Sequence, residues 1–309
     1  MRAMASPADW TPPPAPLIRA ADLALEPWRA WTSPVFHGLE NLPESGPALL
    51  VGNHTVYGIV DAPLIFFEIH RRRGVWVRSV ADHAHWMIPG WRTVMDLGGS
   101  VDGTRDNCRA LLNAGQMVVV FPGGAREATR GRDQLYRLQW EGRLGFARLA
   151  VEAGCPIVPF GTVGAEEMFT TVLDPDSPLL APGRALGRLL LGERGARDDV
   201  MVPVTRGIGP TPVPRPERLY FGFGKPIDTT PWRGAHDDDL AVTEVRDLAR
   251  KAVEEIIDGL RAEQAADPCR TPLGRIGRNL SRAARAVPRT VPSVVPGVVP
   301  RAVPGLIGR

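Results

Sequence analysis

Nowhere in the chain do about 18 apolar residues run uninterrupted, so no conventional membrane-spanning helix is expected. Only three cysteines occur, Cys108, Cys155 and Cys269, and their spacing suits neither a metal site nor a disulfide framework. That sparseness fits a reducing compartment. Met1 to Leu17 is proline-rich and has no apolar h-region, so no signal peptide is expected. The chain has no Gly-x-Ser-x-Gly, which removes the usual nucleophile of a serine hydrolase. It also lacks P-loop and dinucleotide glycine motifs, since Phe221-Gly222-Phe223-Gly224 has the wrong spacing. Asp82-His83-Ala84-His85 has no downstream ligand set, so it reads as an exposed helix start and no metal site is expected.

A basic core is missing as well. The formal net charge is +3, but eight arginines and no acidic residue fall between Arg270 and Arg309. Without those eight, 29 basic residues face 34 acidic ones, which argues against a nucleic-acid-binding surface. From Pro288 onward a Val-Pro unit recurs every four residues, and proline at that spacing forbids a helix. The tail therefore reads as extended, low-complexity and disordered.

What remains has 44% apolar residues, enough for a sizeable core, and its length fits one α/β domain with irregular ends. Three segments are expected: a proline-rich start with an amphipathic helix (1–34), a folded domain (35–262) and a basic Val-Pro-rich tail (263–309). In the first, Leu17, Ile18, Leu23, Leu25, Trp28 and Trp31 are set among charged residues. Such a helix either packs on the domain or lies in a membrane interface with tryptophan anchors. In the domain, strands are read near 36–43, 47–51, 75–80, 116–121, 155–160 and 218–223. Helices are read over 59–70, 85–96, 106–113, 135–153 and 239–259. This alternation predicts a central, mostly parallel sheet with helices on both faces. Residues 174–200, rich in Pro, Gly, Leu and Arg, read as an insertion, either beside a lipid entrance or simply packed on the surface.

The rest is organised around Gly52-Asn53-His54-Thr55-Val56-Tyr57-Gly58-Ile59-Val60-Asp61. The apolar run Pro47–Val51 leads into it as a buried strand, and Asn53 offers an N-cap to the helix that follows. His54 thus sits where a strand gives way to a helix, the usual place for chemistry in α/β folds. A histidine with a following aspartate suggests a general base and its orienting carboxylate.

Three further blocks follow in order: Gly99-Ser100-Val101-Asp102-Gly103-Thr104-Arg105, then Phe121-Pro122-Gly123-Gly124-Ala125-Arg126-Glu127-Ala128, then Cys155-Pro156-Ile157-Val158-Pro159-Phe160. With the histidine–aspartate block they resemble the glycerolipid acyltransferase family over roughly residues 35–260. Phosphate-acceptor members usually carry Phe-Pro-Glu-Gly-Thr-Arg in the third block. Gly123 replaces that glutamate here, and Glu127 follows the arginine. This Pro-Gly-Gly-x-Arg-Glu form resembles the neutral-lipid branch, the mono- and diacylglycerol acyltransferases and phytyl ester synthases.

The resemblance implies a glycerolipid acyltransferase-like fold, no cofactor, and acyl transfer from an acyl thioester, on coenzyme A or acyl carrier protein, to a neutral lipid hydroxyl. It implies His54 as base and Asp61 as its orienting partner. Asn53, Arg105, Gly123, Gly124, Arg126 and Glu127 would bind substrate, with backbone N–H groups near Gly123-Gly124 receiving the oxyanion. It also implies a peripheral protein on the cytoplasmic face of a membrane. Lysophosphatidate acylation and non-catalytic lipid binding are the alternatives. One spacing departs from the family: the usual His-x4-Asp is His-x6-Asp here. On an unbroken helix seven residues advance about 10.5 Å, too far for direct bonding. Asp61 can orient His54 only if residues 55–58 form a loop; otherwise Glu127 is the next candidate.

Overall fold

All five residues of β2 (Ala48–Gly52) are buried, as a central strand covered on both faces requires. Alternate side chains enter opposite cores. Leu49 and Val51 join one apolar cluster, Leu50 and Ala48 the other. β5 (Met117–Val120) repeats the pattern beside it, with Val118 and Val120 facing one way and Met117 and Val119 the other. The computed structural model of the chain describes residues 11–55, 57–58, 60–82, 85–86, 90–174, 177–181 and 203–276.

These strands are the middle of a seven-stranded sheet ordered β1-β9-β6-β2-β5-β3-β4. Its other members are β1 (Val35–His37), β3 (Arg78–Ala81), β4 (Val101–Asp102), β6 (Ile157–Val163) and β9 (Tyr220–Phe223). β6, β2, β5, β3 and β4 run parallel, β9 is antiparallel to β6, and β1 is parallel to β9. The expected mostly parallel sheet with helices on both faces is what forms. On one face lie α5 (Arg105–Asn113), α7 (Gly145–Ala153) and α8 (Asp239–Ala266); on the other, α3 (Ala62–Arg73) buries Leu64, Ile65 and Ile69. In α8 the buried residues Val242, Val245, Ala249, Val253, Ile257 and Leu260 recur every three or four positions, and Asp238 caps its N-terminus.

Several local expectations change. The helix expected over 135–153 is helical only in α7. Before it, Leu138 and Trp140 are buried in alternation while Arg137 is exposed, the period of an extended segment. Of the helix expected over 85–96, the α-helical part among the described residues is α4 (Trp91–Leu97), preceded by Gly90 at φ +78°. Thr170–Leu173 (β7) and Val204–Arg206 (β8) form a separate antiparallel pair that the sequence did not suggest. Most of the expected insertion at 174–200, the Val-Pro tail and His83 lie outside the described residues.

The N-terminal amphipathic segment packs on the domain as α1 (Ala15–Ala24) and α2 (Glu26–Thr32). The Trp28 indole N–H donates to the Val60 carbonyl at 2.7 Å, and that of Trp31 to the Pro214 carbonyl at 3.2 Å. At the other end the boundary expected at 262 lies inside α8. Asp267 pairs with Arg218 at 2.7 Å, and Arg275 donates to the Pro216 carbonyl at 2.8 Å.

Candidate active site

His54 lies two residues beyond the end of β2, and the chain around it is a loop rather than a helix. α3 begins only at Ala62, with Asp61 as its N-cap. The Asp61 Oδ1 accepts from the Ala62 N–H and from the Thr55 hydroxyl, both at 2.9 Å. Between these residues the chain turns through two left-handed positions, Tyr57 at φ +67° and Gly58 at φ +61°. Tyr57 is held there by its N–H, which donates to the Ala128 carbonyl, and by its hydroxyl, 3.0 Å from the Pro203 carbonyl and 2.6 Å from Thr205 Oγ1. Non-glycine residues pay for such a conformation and keep it where neighbours over-determine it.

Gly58 lies against the imidazole of His54. A β-carbon added there would fall 1.8 Å from Cε1 and 2.7 Å from both ring nitrogens. The Phe121 ring, just past β5, stacks on the imidazole with centroids 4.4 Å apart and planes 16° apart. The histidine is therefore met by Gly58 at the Cε1 edge of its ring and by Phe121 on one face. It remains part-exposed, while Nδ1 is enclosed without a hydrogen-bond partner. Burial pushes its pKa down to about 3, helped by the nearby Arg130 and His85, so the ring is neutral at neutral pH.

Asp61 is fully buried, and its Oδ2 also has no partner. Burial raises it to about 6 against the hydrogen bonds from Thr55 and Ala62. No hydrogen bond joins Asp61 to His54 here; the loop that the His-x6-Asp spacing demanded is present.

Glu127 takes a different place from the one expected. It belongs to the one-turn α6 (Ala125–Ala128), is fully buried, and points inward. Oε2 accepts from the His54 N–H at 2.7 Å and Oε1 from the Gln139 N–H at 2.8 Å. It grips the histidine's backbone, not its ring, and no oxygen faces an open site. Its cationic neighbour is Arg130 at 3.9 Å, and Arg126 is exposed. In a one-turn helix adjacent residues point to different sides, which separates Glu127 from Arg126 and brings it over Arg130. Burial raises the Glu127 pKa, and the Arg130 charge opposes that rise.

The other expected contacts divide. Asn53 caps no helix: its buried amide accepts from the Thr162 N–H at 2.8 Å and donates to the Thr162 carbonyl at 3.0 Å, joining the end of β2 to β6. Gly124 spends its N–H on the Phe121 carbonyl at 2.9 Å, so it is not a free oxyanion donor. A β-carbon at Gly123 would lie 2.1–2.3 Å from the Glu127 carboxyl and Cγ, so that glycine makes room for the inward glutamate. Arg105 is exposed at the start of α5, whose N-cap is Thr104. Among the described residues no group of three or more His, Cys, Asp or Glu is placed to hold a metal.

Two residues escaped the sequence reading. Arg130 is fully buried; it donates to the His54 carbonyl and, at 2.6 Å through Nε, to the Glu127 carbonyl. Glu166 lies on its other side at 3.4 Å, is pushed up to about 7 by burial against the Arg130 charge, and is raised further by Glu167, Asp61 and Glu127. Their i, i+3 spacing was a signal for the Glu127–Arg130 pair; no local pattern pointed to Glu166. A cleft of about 760 Å³ between residues 133–141 and α8, lined by Tyr136, Arg137, Arg250 and Arg261, includes neither His54 nor Asp61.

Known proteins resemble this chain in sequence. Over 230 residues the chain is 35% identical to the DGAT1/2-independent enzyme synthesizing storage lipids of Bos taurus, covering 74% of this chain and 60% of that protein. It is 30% identical over 259 residues to phytyl ester synthase 2, chloroplastic, of Arabidopsis thaliana, covering 78% of this chain and 36% of the relative. The chain thus spans roughly a third to three fifths of these relatives' length. Among solved structures it is similar to the 1-acyl-sn-glycerophosphate acyltransferase PlsC of Thermotoga maritima, with a TM-score of 0.46, 17% identity, and coverage of 78% of this chain and 79% of that one. The acyltransferase family model matches residues 33–163, which contain β2, His54, Asp61 and the Gly123-Gly124 turn, and the chain carries an acyltransferase-family domain over that stretch.

Proposed function

We propose that this protein transfers a long-chain acyl group from an acyl thioester to a neutral lipid hydroxyl, with His54 as general base. The observation that carries the reading is the state of His54. It is a part-exposed, neutral imidazole at the end of the central strand, its Nδ1 enclosed and unpartnered. Nε2 takes the acceptor's hydroxyl proton as the oxygen attacks the thioester carbonyl, and returns it to the leaving thiolate. As the imidazolium forms, the enclosed Nδ1–H needs an acceptor, and the unpartnered Oδ2 of Asp61 is the complementary group. Asp61 would then hold the ring's tautomer rather than take its proton. The Gly123 N–H is the donor proposed for the oxyanion.

The neutral acceptor follows from the relatives, a storage-lipid-synthesising enzyme and a phytyl ester synthase. Exposed Arg105 and Arg126 are proposed for the donor's phosphates or the acceptor's ester oxygens. A peripheral location on the cytoplasmic face of a membrane is part of the proposal. No helix among the described residues is long and apolar enough to cross one, and Leu23 of α1 is 71% exposed.

The test is product mass spectrometry with long-chain acyl-CoA or acyl carrier protein donors and a panel of acceptors: monoacylglycerol, diacylglycerol, long-chain alcohols and lysophosphatidate. Neutral esters should dominate, and His54→Ala should lower turnover by about 10²–10⁴ with the fold intact. Faster acylation of lysophosphatidate than of every neutral acceptor would replace the substrate class. Lipid binding without turnover would leave a binding protein.

A further inference from the structure

The two peptide groups flanking the His54 α-carbon are each gripped by a buried charged side chain. On one side the His54 N–H donates to Glu127 Oε2 at 2.7 Å; on the other the His54 carbonyl accepts from Arg130 Nη2. Glu127 and Arg130 are also tied to each other, through the 3.9 Å ion pair and the bond from Arg130 Nε to the Glu127 carbonyl. Neither side chain has solvent exposure. Charge-assisted hydrogen bonds enclosed in this way are stronger and more directional than neutral ones. Gly123 completes the device, because any side chain there would occupy the carboxylate's position.

We infer that Glu127 and Arg130 are positioning residues that fix the backbone of His54 so that its ring stays against Phe121 and Gly58, with Gly123 kept empty for the Glu127 carboxylate. The inference builds on His54 being the base. It gives the Pro-Gly-Gly-x-Arg-Glu turn a purpose other than contact with substrate. Arg126 faces solvent from this turn, while Glu127 and, one turn on, Arg130 reach beneath it to the histidine. Glu166 approaches Nη1 of Arg130 at 3.4 Å without a hydrogen bond, so the grip on the His54 carbonyl comes from Nη2.

The experiment uses the full chain with a long-chain acyl-CoA and diacylglycerol. Glu127→Gln, Arg130→Met, the double variant (which leaves no unpaired charge of the two) and Gly123→Ala are compared by kcat, KM and the ring signals of protein labelled with ¹³C at histidine Cε1. The six histidines give few signals, and that of His54 is the one lost in His54→Ala. A ring displaced by about 1 Å should cost kcat about 10²-fold while both KM values stay within about twofold. The His54 signal should shift or broaden while those of His37, His70 and His236 stay in place. Arg130→Lys should recover part of the rate, since it restores one donor to the carbonyl. Folded variants with wild-type kcat would overturn the inference, as would a lost rate with an unmoved His54 signal. If His54→Ala itself stays active, the assignment of the base falls, while the His54 signal in Glu127→Gln and Arg130→Met still decides whether the grip exists.

Discussion

Replacing Gly58 by alanine perturbs the His54 ring with a single methyl group. The added carbon would sit 1.8 Å from Cε1, whereas unstrained carbon contacts begin near about 3.5 Å, so the ring must retreat by roughly 1.5–2 Å. Phe121, stacked on one face at 4.4 Å, closes that side to the retreat. A misplacement of about 1 Å already costs about 10² in rate, so Gly58→Ala should lose about 10²–10⁴ in kcat, approaching the loss of the base itself. The backbone adds a separate term. Gly58 sits at φ +61°, where an L-residue costs about 1–2 kcal/mol. Gly74 supplies the control: it closes α3 at φ +69° with nothing within 4 Å of an added β-carbon. Gly74→Ala should therefore show a similar loss of stability with normal turnover. The assay pairs urea unfolding with initial rates on the same preparations. A folded Gly58→Ala protein within about threefold of wild-type kcat would refute both the position assigned to His54 and its role as base.

The contributions of Asp61 and Glu166 to folding stability should rise as pH falls from about 7 to about 4, opposed below 6.5 by His54, whose lowered value makes its own contribution fall. Asp61 and Glu166 have raised folded values, about 6 and about 7, so between those and their unfolded values the folded chain binds more protons than the unfolded one. The Asp61 shift from 3.8 to about 6 corresponds to about 3 kcal/mol of destabilisation at pH 7. Asp61→Asn should therefore stabilise the protein at pH 7 and flatten that part of the curve; urea unfolding across pH checks it, and an unchanged slope counts against the burial assigned here. The acid limb of kcat should follow Asp61 near pH 6 rather than His54, and Asp61→Asn should lose the limb together with most of the rate. Anionic vesicles should sediment the protein, less so at high salt; absent or salt-independent binding would remove the proposed surface attachment.

Strand–helix alternation made the sheet legible, because a doubly covered strand such as 47–51 is a short continuous apolar run bounded by glycine and proline. The position of His54 was legible for the same reason. The inward turn of Glu127 was not. Whether a charged residue in a four-residue helix points to solvent or into the core depends on what waits beneath it, here the N–H groups of His54 and Gln139, 73 and 12 residues away along the chain. Trp28 and Trp31 posed the same difficulty. An amphipathic pattern fixes that one face is covered but not by what, and in this fold the Val60 and Pro214 carbonyls receive the two indoles. The segment 135–144 misled because its spaced apolar residues suit a helix as well as an extended run, and only the alternate burial of Leu138 and Trp140 separates the two.

The irregular spacing between His54 and Asp61 now has a physical account. A histidine at the end of a strand and an aspartate capping the next helix can occupy one neighbourhood only if the connection doubles back. Seven helical positions would carry Asp61 about 10.5 Å onward. The two successive left-handed residues, Tyr57 and Gly58, reverse the chain instead, and the Thr55 hydroxyl closes the loop by donating to Asp61 Oδ1. That bond and the Ala62 N–H occupy one carboxylate oxygen and leave the other unpartnered. The loop is thus fastened at its middle by Tyr57, at its end by Asp61 and at its start by Glu127 and Arg130. Only the imidazole of His54 is left to be held by packing alone, against Gly58 and Phe121. A ring that must accept and release a proton in each cycle cannot be bound at both nitrogens. Fixing its backbone through charge and its ring through contact holds it in place without a hydrogen bond to Nδ1.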